Sequence, residues 1–369
     1  MSKTLMIGSC EPFSGKSALV LGIARKFISE NKKIRFGKPL ATTVDSPLDF
    51  YDKNIKIIDD DVRFISKTLG LSESQLIPSV DILSEATSDQ RLLRKNLSNG
   101  ERLSDFKRNI STQDNEINIL EAAGSLFEGF LYGLSLVEVT KKLDVPVLLI
   151  HSWKDSRSVD ELLAAKQYLG KHLLGVVLNA VTPNEINRIK IEVVPALSNL
   201  DIDVYGVMPR SPLLRSVTVE ELVRRLNARV ICCSEKLELL VETLSIGAMG
   251  VNSAMEFFRK RRNMAVVTGV DRTDLQLAAL EASTQCLILT GVGDPLPQLV
   301  NRAEELEVPL LRVDMDTLST VEVIENAFGH VRLHESVKAT YSFRLVEENC
   351  ELDRLFKSLE SDHKFHEHC

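Results

Sequence analysis

The sequence predicts an α/β fold in which a parallel sheet carries helices on both faces and a smaller α/β unit follows. Two observations predict this fold class. Runs such as VPVLLI and GVVLNAV are apolar at both alternating sets of positions, which is typical of strands buried on both faces of a parallel sheet. Amphipathic, helix-like stretches separate these runs, and this alternation favours parallel strands joined by right-handed crossovers.

Six strand candidates lie in the first 230 residues. In chain order they read TLMIGS, KIRFGKPL, INILEAA, VPVLLIH, LLGVVLNAV and DVYGVMP. Helix candidates accompany them, for example SVDELLAAKQYLGKH and VTVEELVRRLNA. We therefore predict that residues 1–230 form a first domain.

A second α/β pattern starts near Ser245. NMAVVTGV, QCLILTGV and VPLLRVD read as strands, with TDLQLAALEAS and PLPQLVNRAEELE as the helices between them. The stretch VICCSEKLELLVETLSIGAMG is interpreted as the connection between the two patterns. The predicted second domain covers residues 231–346, and residues 347–369 read as a polar helix and a C-terminal tail.

Composition excludes several classes of protein. The 369 residues are 44% hydrophobic and 26% charged, as expected of a globular protein. The net charge of −7 argues against a general nucleic-acid binder, which normally has a basic excess. No apolar run reaches the ~18 residues that indicate a membrane span. The N-terminus lacks a signal peptide, and the six cysteines are irregularly spaced, so we predict a cytoplasmic protein without a disulfide framework.

The C-terminal tail contains three histidines and one cysteine. These could bind a metal, but a frayed, solvated terminus is the simpler interpretation. The residues are His363, His366, His368 and Cys369.

The stretch MIGSCEPFSGKSALVLGIA has the order of a phosphate-binding loop. Gly15, Lys16 and Ser17 follow a strand and open an apolar helix, so backbone amides, an ammonium group and a hydroxyl would face one anion. Cys10 stands where G-x-x-x-x-G-K-[ST] has its first glycine, and Gly8 lies two residues earlier. An ordinary strand–turn–helix that happens to contain Gly-Lys-Ser is the alternative. The predicted nucleotide-binding residues of the loop are Cys10, Glu11, Pro12, Phe13, Ser14, Gly15, Lys16, Ser17 and Ala18.

Polar residues follow other predicted strands. Lys38 comes after the second strand, Glu121 ends the third and Asn179 lies near the end of a later one. Ligands of open parallel sheets bind at the carboxyl ends of the strands. Glu121 could hold magnesium directly or through water, and one member of the acidic triplet 59–61 could complete the metal shell. The triplet alone is more often a solvated helix start.

Together these stretches resemble the dethiobiotin synthetase-like family of P-loop proteins. SGKS, GKPL, EAAG and LNAV correspond to the family's phosphate loop, its Lys-Pro, its third strand end and its Asn before the base pocket. The resemblance covers roughly residues 3–230 and implies a P-loop NTPase sheet with bound ATP and Mg²⁺. The true synthetase is an ATP-dependent ligase.

The second unit is similar to the DRTGG domain. The similarity rests on VVTGVDRTDLQLAAL, CLILTGVGDP and VPLLRVDMDT, within about 245–345. Asp274 and Leu275 stand where the name-giving motif has two glycines. Both domains in this order resemble the N-terminal regulatory part of long bacterial phosphotransacetylases, whose acetyl transfer occurs in a separate C-terminal domain. We therefore expect a regulatory protein and not an acetyltransferase.

The P-loop resemblance implies roles for five residues. Lys16 would neutralise the β- and γ-phosphates, and Lys38 would bridge the γ-phosphate and an attacking group; these two are the predicted catalytic residues. Ser17 and Glu121 would ligate magnesium, with Asp61 as the third metal ligand.

The same resemblance implies a base-binding region. Asn179 would contact adenine, and the loop around Pro209 would close over the base. The chain departs from the family at Cys10, Glu11 and Ala122, which affects the expected rate of hydrolysis more than binding.

Three functions follow as hypotheses. The first is a slow Mg²⁺-dependent ATPase with a regulatory or sensor role. The alternatives are an ATP-dependent ligase and a non-catalytic nucleotide-binding scaffold. The predicted partners are ATP or ADP, a second copy of the chain in a dimer, and a regulated protein, with neither nucleic acid nor membrane.

The DRTGG-like unit has a ligand-site candidate of its own. Asp271, Arg272, Thr273 and Asp274 fall between a predicted strand and a helix, where a small ligand or nucleotide could bind. In the structural alternative, Asp271 or Thr273 caps the helix and Arg272 forms an ion pair at an interface.

Overall fold

The computed structural model divides the chain into two compact units. The first contains residues 1–210 together with 332–369, and the second contains residues 211–331. The residues that the structure describes are 3–44, 56–94, 100–111, 116–247, 255–256 and 258–361.

A seven-stranded sheet forms the centre of the first unit. Its order is β4-β2-β6-β1-β7-β8-β9, and all neighbouring strands are parallel. Leu5, Met6 and Ile7 in β1 are all fully buried, so both faces of the sheet are covered, as its apolar runs predicted. The strands are β1 (Lys3–Ser9), β2 (Lys33–Gly37), β4 (Leu76–Ile77), β6 (Glu116–Glu121), β7 (Val147–Ser152), β8 (Leu173–Val181) and β9 (Val204–Pro209). Six of them are the predicted strands, and the short edge strand β4 was not predicted.

Helices follow the strands of this sheet in the usual α/β order. A π-helical turn, Ile189–Val193, connects α7 to α8. Two short strands, β3 (Leu40–Ala41) and β5 (Asp81–Ile82), pair in parallel outside the main sheet. The helices are α1 (Lys16–Ser29), α2 (Asp60–Leu69), α3 (Glu85–Arg94), α4 (Gly100–Ser111), α5 (Leu136–Leu143), α6 (Val159–Leu169), α7 (Ile186–Arg188) and α8 (Val194–Ser198).

The chain returns to the first unit after residue 331. Helix Ser336–Asn349 packs against α1 so closely that a Cβ on Gly22 would lie 2.3 Å from Cβ of Val346. Cys350 forms an isolated antiparallel bridge with Gly206 of β9. The predicted limits, 1–230, 231–346 and 347–369, therefore differ from the compact units, because the C-terminal helices complete the first sheet's cover.

The second unit has its own sheet of five strands. Its order is β11-β16-β15-β14-β13, in which β11 is antiparallel to β16 and the other pairs are parallel. The three predicted strands are β14 (Met264–Gly269), β15 (Thr284–Thr290) and β16 (Leu310–Arg312).

The stretch interpreted as a connection contributes strands to the second unit. These strands are β11 (Arg229–Cys232), β12 (Leu240–Val241) and β13 (Thr243–Ile246). β12 pairs with β10 (Val217–Thr218) in a separate two-stranded sheet. The interpretation as a linker was wrong, because these runs bury apolar side chains such as Cys232 and Val241.

Helices of the second unit surround this sheet. They include the helix predicted in VTVEELVRRLNA, which belongs to this unit and not to the first. They are α9 (Pro212–Arg215), α10 (Val219–Leu226), α11 (Thr273–Leu280), α12 (Pro297–Glu305) and α13 (Thr317–Ala327), and the two returning helices of the first unit are α14 (Ser336–Asn349) and α15 (Leu352–Ser361).

The structure also shows the state of the cysteines and the length and polarity of the helices. The five described cysteines are all free. In the part of the chain that the structure describes, no helix is long and apolar enough to cross a membrane. The tail histidines and Cys369 lie outside the described residues.

Candidate functional site

The loop between β1 and α1 forms the centre of the candidate site. Phe13 and Gly15 both have positive φ, 55° and 103°, and Gly15 is the N-cap of α1. No side chain caps this helix within the described structure. Because the first amides of a helix lack intrahelical partners, they are available to an anion here.

Asn179 of β8 is hydrogen-bonded to the loop. Its Nδ2 donates a hydrogen bond to the Ser14 carbonyl at 2.7 Å. A Cβ on Gly15 would lie only 2.4 Å from the same Nδ2, so the close approach requires glycine. Asn179 thus supports the phosphate loop, and its predicted contact with adenine stays a prediction.

Lys16 is buried beneath the loop, with 8% of the residue exposed. Its Nζ donates to Ser9 Oγ at 2.8 Å and to the Gly124 carbonyl at 2.9 Å. Burial lowers the Lys16 pKa to about 8; Glu121 opposes this shift and the positive charge of Lys38 adds to it. The ammonium is therefore charged at neutral pH but poorly compensated, which suits an anionic ligand.

Lys38 lies among three buried carboxylates at the carboxyl end of β2. Its Nζ contacts Asp61 Oδ2 directly and lies 3.2 Å from Asp59 Oδ1 and 3.7 Å from Glu121 Oε1. Burial disfavours the Lys38 ammonium, but the charges of Glu121, Asp61 and Asp59 raise its pKa above the ordinary value. Lys38 is thus permanently charged and already compensated.

The acidic triplet has divided roles. Asp59 is the N-cap of α2: its Oδ1 accepts from the Asp61 amide at 2.9 Å, and its Oδ2 accepts from the Thr42 amide at 2.7 Å. Asp61 Oδ1 lies 2.9 Å from His334 Nε2. Burial opposes ionisation of Asp61, but the His334 hydrogen bond and Lys38 lower its pKa below the usual range.

Glu121 faces the start of α1. Ser17 Oγ donates to Glu121 Oε1 at 3.1 Å, and the buried Oε2 has no hydrogen-bond partner among the described residues. Burial raises the Glu121 pKa, and the positive charge of Lys38 opposes that shift. Ser17, Glu121 and Asp61 present only oxygen atoms, so the donor set fits Mg²⁺. Asp61 would have to give up its contact with Lys38 or His334 to reach the ion.

The remaining predicted residues of the loop lie around this centre. Glu11 Oε2 is 3.5 Å from Lys154 Nζ, so its carboxylate has a counter-ion of its own. A ring carbon of Pro12 lies 3.3 Å from where a Cβ on Gly124 would be. Phe13 is exposed, and Ala18 is buried in α1.

Pro209 is the last residue of β9. It lies opposite Val181 of β8, at the same carboxyl edge as Asn179. Its predicted position over a base stays a prediction.

Four residues that contact the site were not predicted from the sequence. Ser9 and Gly124, which hold Lys16, adjoin predicted residues and were accessible from the strand–loop pattern. Lys154, which neutralises Glu11, and His334, which binds Asp61, had no such signal. His334 lies 273 positions from Asp61 in the chain, and only the return of the C-terminal segment brings them together.

The corresponding strand end in the second unit is more open. Arg272 is the N-cap of α11 without a side-chain cap hydrogen bond, so the interpretation of Asp271 or Thr273 as the cap was wrong. Arg272 Nε lies 3.8 Å from Asp274 Oδ1. The hydroxyls of Thr290, at the end of β15, and Thr317, at the start of α13, are 2.7 Å apart.

Two family models match the chain. The family described as AAA domain matches residues 3–241, which is well over half of the chain. The chain belongs to this family. The AAA domain match contains the phosphate loop, Lys38, Glu121 and Asn179, and it extends past residue 210 into the second unit. The DRTGG domain matches residues 221–327. The chain therefore combines a P-loop AAA domain with a DRTGG domain, as its sequence predicted.

Curated relatives of this AAA domain chain are longer than it is. The phosphate acetyltransferase of Synechocystis sp. is 23% identical over 378 residues, which cover 98% of this chain and 52% of the relative. The phosphate acetyltransferase of Nitratidesulfovibrio vulgaris is 23% identical over 380 residues, with coverage of 96% and 51%. The chain spans about half the length of the curated relatives it matches.

Solved structures give partial similarities. The CBS and DRTGG domains of the regulatory region of Clostridium perfringens pyrophosphatase, complexed with the activator diadenosine tetraphosphate, are 19% identical with a TM-score of 0.27, over 34% of this chain and 59% of that one. The cell division protein MinD of Aquifex aeolicus is 15% identical with a TM-score of 0.34, over 58% of this chain and 84% of that one.

Proposed function

We propose that the first unit binds ATP with Mg²⁺ and hydrolyses it slowly, and that its nucleotide state serves a regulatory role. One observation carries this proposal. Lys16 and Ser17 open α1, whose N-terminus has no side-chain cap, and the buried Glu121 accepts a hydrogen bond from Ser17. This combination supplies amides, a cation and a metal-binding oxygen to one polyphosphate.

Magnesium would be held by Ser17, Glu121 and Asp61. When bound, the ion neutralises charge on the phosphate oxygens. Lys16 would carry positive charge to the phosphates, since the two hydrogen bonds of its Nζ go to neutral oxygens, Ser9 Oγ and the Gly124 carbonyl. Lys16 is thus expected to contribute mainly to binding.

Slow turnover is supported by the state of the neighbouring carboxylates. Asp59 is engaged as a helix cap, and Asp61 is engaged by Lys38 and His334. Carboxylates held in this way are poorly placed to orient an attacking water. Lys38 would have to exchange one of its carboxylate contacts to reach a γ-phosphate, which also favours a low rate.

The predicted partners extend this proposal. We propose ATP or ADP as the small-molecule partner, a homodimer as the assembly and a regulated protein as the target, in the cytoplasm. Acetyl transfer is not proposed for these two units, because the polar groups gathered in the first site are those of phosphate binding.

Calorimetric titration with Mg·ATP tests the proposal. The unsubstituted chain should bind about one nucleotide, and Lys16→Ala should weaken binding by at least about tenfold, because a charged hydrogen bond contributes about 1.5–3 kcal/mol. Lys171→Ala is the matched control, since Lys171 is an exposed lysine paired with Asp144 in the same unit.

Phosphate release measured on the same samples separates the three functions. A slow ATPase releases phosphate from ATP alone, and chelation of Mg²⁺ stops the release. A ligase stays idle until an acceptor is added. Saturable binding without phosphate release, with or without an acceptor, would favour the scaffold hypothesis. Absence of any saturable binding to the unsubstituted chain would contradict the proposal.

A further inference from the structure

A second group of ligating side chains lies beside the phosphate loop. The potential ligand atoms of Cys10, His151 and Glu161 all lie within 4.8 Å of one another. Cys10 follows β1, and His151 is in β7, which pairs with β1 in parallel so that Ser9 lies opposite Ile150. Glu161 is in the first turn of α6. Three separate elements therefore converge at the carboxyl edge of the sheet.

His151 is the most informative member of this cluster. It is 1% exposed, and within the described residues neither Nδ1 nor Nε2 has a hydrogen-bond partner. Its Nδ1 lies 3.7 Å from Glu161 Oε2, which is too long for a hydrogen bond. A buried imidazole without partners is costly and calls for an explanation.

The donor types indicate which cation would fit. A thiol, an imidazole and a carboxylate form a borderline-soft set, which suits zinc and other late first-row divalent metals and not Mg²⁺ or Ca²⁺. Zinc bonds of about 2.0–2.3 Å place tetrahedral ligand atoms roughly 3.5 Å apart. The separation of His151 Nδ1 and Glu161 Oε2, 3.7 Å, is near that value, and all three ligand atoms lie within 4.8 Å of one another, so side-chain rotations would complete the geometry.

The surroundings are also suited to a cation. The carboxylates of Glu161 and Glu11 place negative charge beside Cys10. The buried Glu11 Oε1 has no hydrogen-bond partner among the residues described.

We propose that Cys10, His151 and Glu161 form a zinc-type metal site, with the fourth position taken by water or by Glu11. Binding displaces the thiol proton of Cys10, which passes to solvent as the sulfur–metal bond forms. Cys10 occupies the place of the first glycine in the phosphate-loop pattern. A cysteine in place of this glycine would therefore serve as a metal ligand. Metal binding at this site does not require that nucleotide binds.

Zinc binding to the full chain tests the proposal by equilibrium dialysis and metal analysis. All proteins carry a tail in which His363, His366 and His368 are changed to Gln and Cys369 to Ser, because those groups could bind zinc independently. This background should bind about one zinc per chain. Cys10→Ser and Glu161→Gln should each weaken binding by more than about tenfold, since even outer-shell changes cost 10–100-fold.

Matched controls separate the site from general thiol or imidazole binding. Cys233→Ser and His172→Gln change a partly buried cysteine and a partly buried histidine elsewhere in the chain, and both should leave zinc binding unchanged. Glu161 is exposed, so Glu161→Gln tests the site without threatening the fold.

Cobalt(II) gives a direct readout of the sulfur ligand. The background protein should show a near-ultraviolet thiolate-to-cobalt charge-transfer band and intense visible bands of tetrahedral geometry, and Cys10→Ser should lose the first. Failure of the background protein to bind zinc would overturn the proposal, and so would an unchanged cobalt spectrum in Cys10→Ser.

Discussion

The two units place charged residues at the same topological position, between a parallel strand and the next helix, with opposite electrostatic results. In the first unit, Lys38 is buried against Asp59, Asp61 and Glu121. In the second unit, the side chains of Arg272 and Asp274 are 40% and 58% exposed at a separation of 3.8 Å.

A position at the end of a strand is therefore not sufficient to place charged side chains in a buried, strongly interacting cluster. Solvent screens exposed pairs, so their geometry is held weakly. Buried charges interact strongly and must be satisfied by specific partners. The first unit supplies those partners from β6, from the N-cap and first turn of α2, and from the returning C-terminal segment. The second unit leaves Arg272 and Asp274 near water.

Removing the positive charge of Lys38 should have the largest effect on the free energy of unfolding. Lys38→Met leaves three buried carboxylates without their counter-ion, and breaking a buried ion pair lowers the free energy of unfolding by about 3–5 kcal/mol. Urea unfolding followed by fluorescence measures the loss, because Trp153, the only tryptophan in the sequence, is buried in the first unit.

Arg272→Met is the matched change in the second unit. It should lower the free energy of unfolding by about 0.5 kcal/mol or less, as exposed ion pairs usually do, measured by circular dichroism. Losses of equal size for the two variants would remove the distinction between the units.

Two glycines provide the next comparison. Gly15 and Gly291 both have positive φ, 103° and 91°. A Cβ at Gly15 would meet Asn179 at 2.4 Å, while nothing lies within 4 Å of one at Gly291. Gly291→Ala should cost about 1 kcal/mol from backbone strain, and Gly15→Ala should cost about 2–3 kcal/mol because the clash adds to the strain.

Urea midpoints of both glycine variants measure these costs, and calorimetry measures Mg·ATP binding. Gly15→Ala should also abolish that binding, and Gly291→Ala should preserve it. Equal losses of stability in Gly15→Ala and Gly291→Ala would show that Asn179 moves away from the added methyl group at little cost.

The pH dependence of ATP binding sharpens the contrast between Lys16 and Lys38. Burial lowers the Lys16 pKa to about 8, while the carboxylates raise that of Lys38, so only Lys16 loses its proton at mildly alkaline pH. Affinity for Mg·ATP should be constant below about pH 7 and should fall roughly tenfold between about pH 7 and about pH 9. Lys16→Arg, whose guanidinium does not titrate in this range, should show no such fall. A flat profile for the unsubstituted chain would show that Lys16 does not lose its proton below about pH 9.

His334 should have the smallest effect. Its hydrogen bond to Asp61 raises its pKa above 6.5, so the protonated pair stabilises the fold below that pH, and the contribution is lost as pH rises through the folded-state pKa. His334→Gln keeps a neutral donor and should cost at most about 1 kcal/mol at acidic pH, because 43% of the His334 side chain is exposed. The cost should vanish at alkaline pH; a cost independent of pH, measured by Trp153 fluorescence in urea, would contradict the charged pairing.

Sequence patterns predicted most of the first sheet because its strands are long apolar runs. They failed where strands are short or partly polar: β4 has two residues, and β11 to β13 lie in a stretch that reads as a connection. They also placed α10 in the first unit, since a helix pattern reveals its apolar face but not the sheet that covers it.

Local sequence was enough to predict the phosphate loop, with Lys16, Ser17 and the helix that they open, because these depend on neighbours within a few residues. It also indicated that Lys38, Glu121 and Asn179 would meet at one sheet edge, since parallel strands end on the same side. Only the tertiary structure decided which charges are compensated. Burial and the arrival of distant groups such as His334 and Lys154 set those electrostatic balances, and neither is encoded in local spacing.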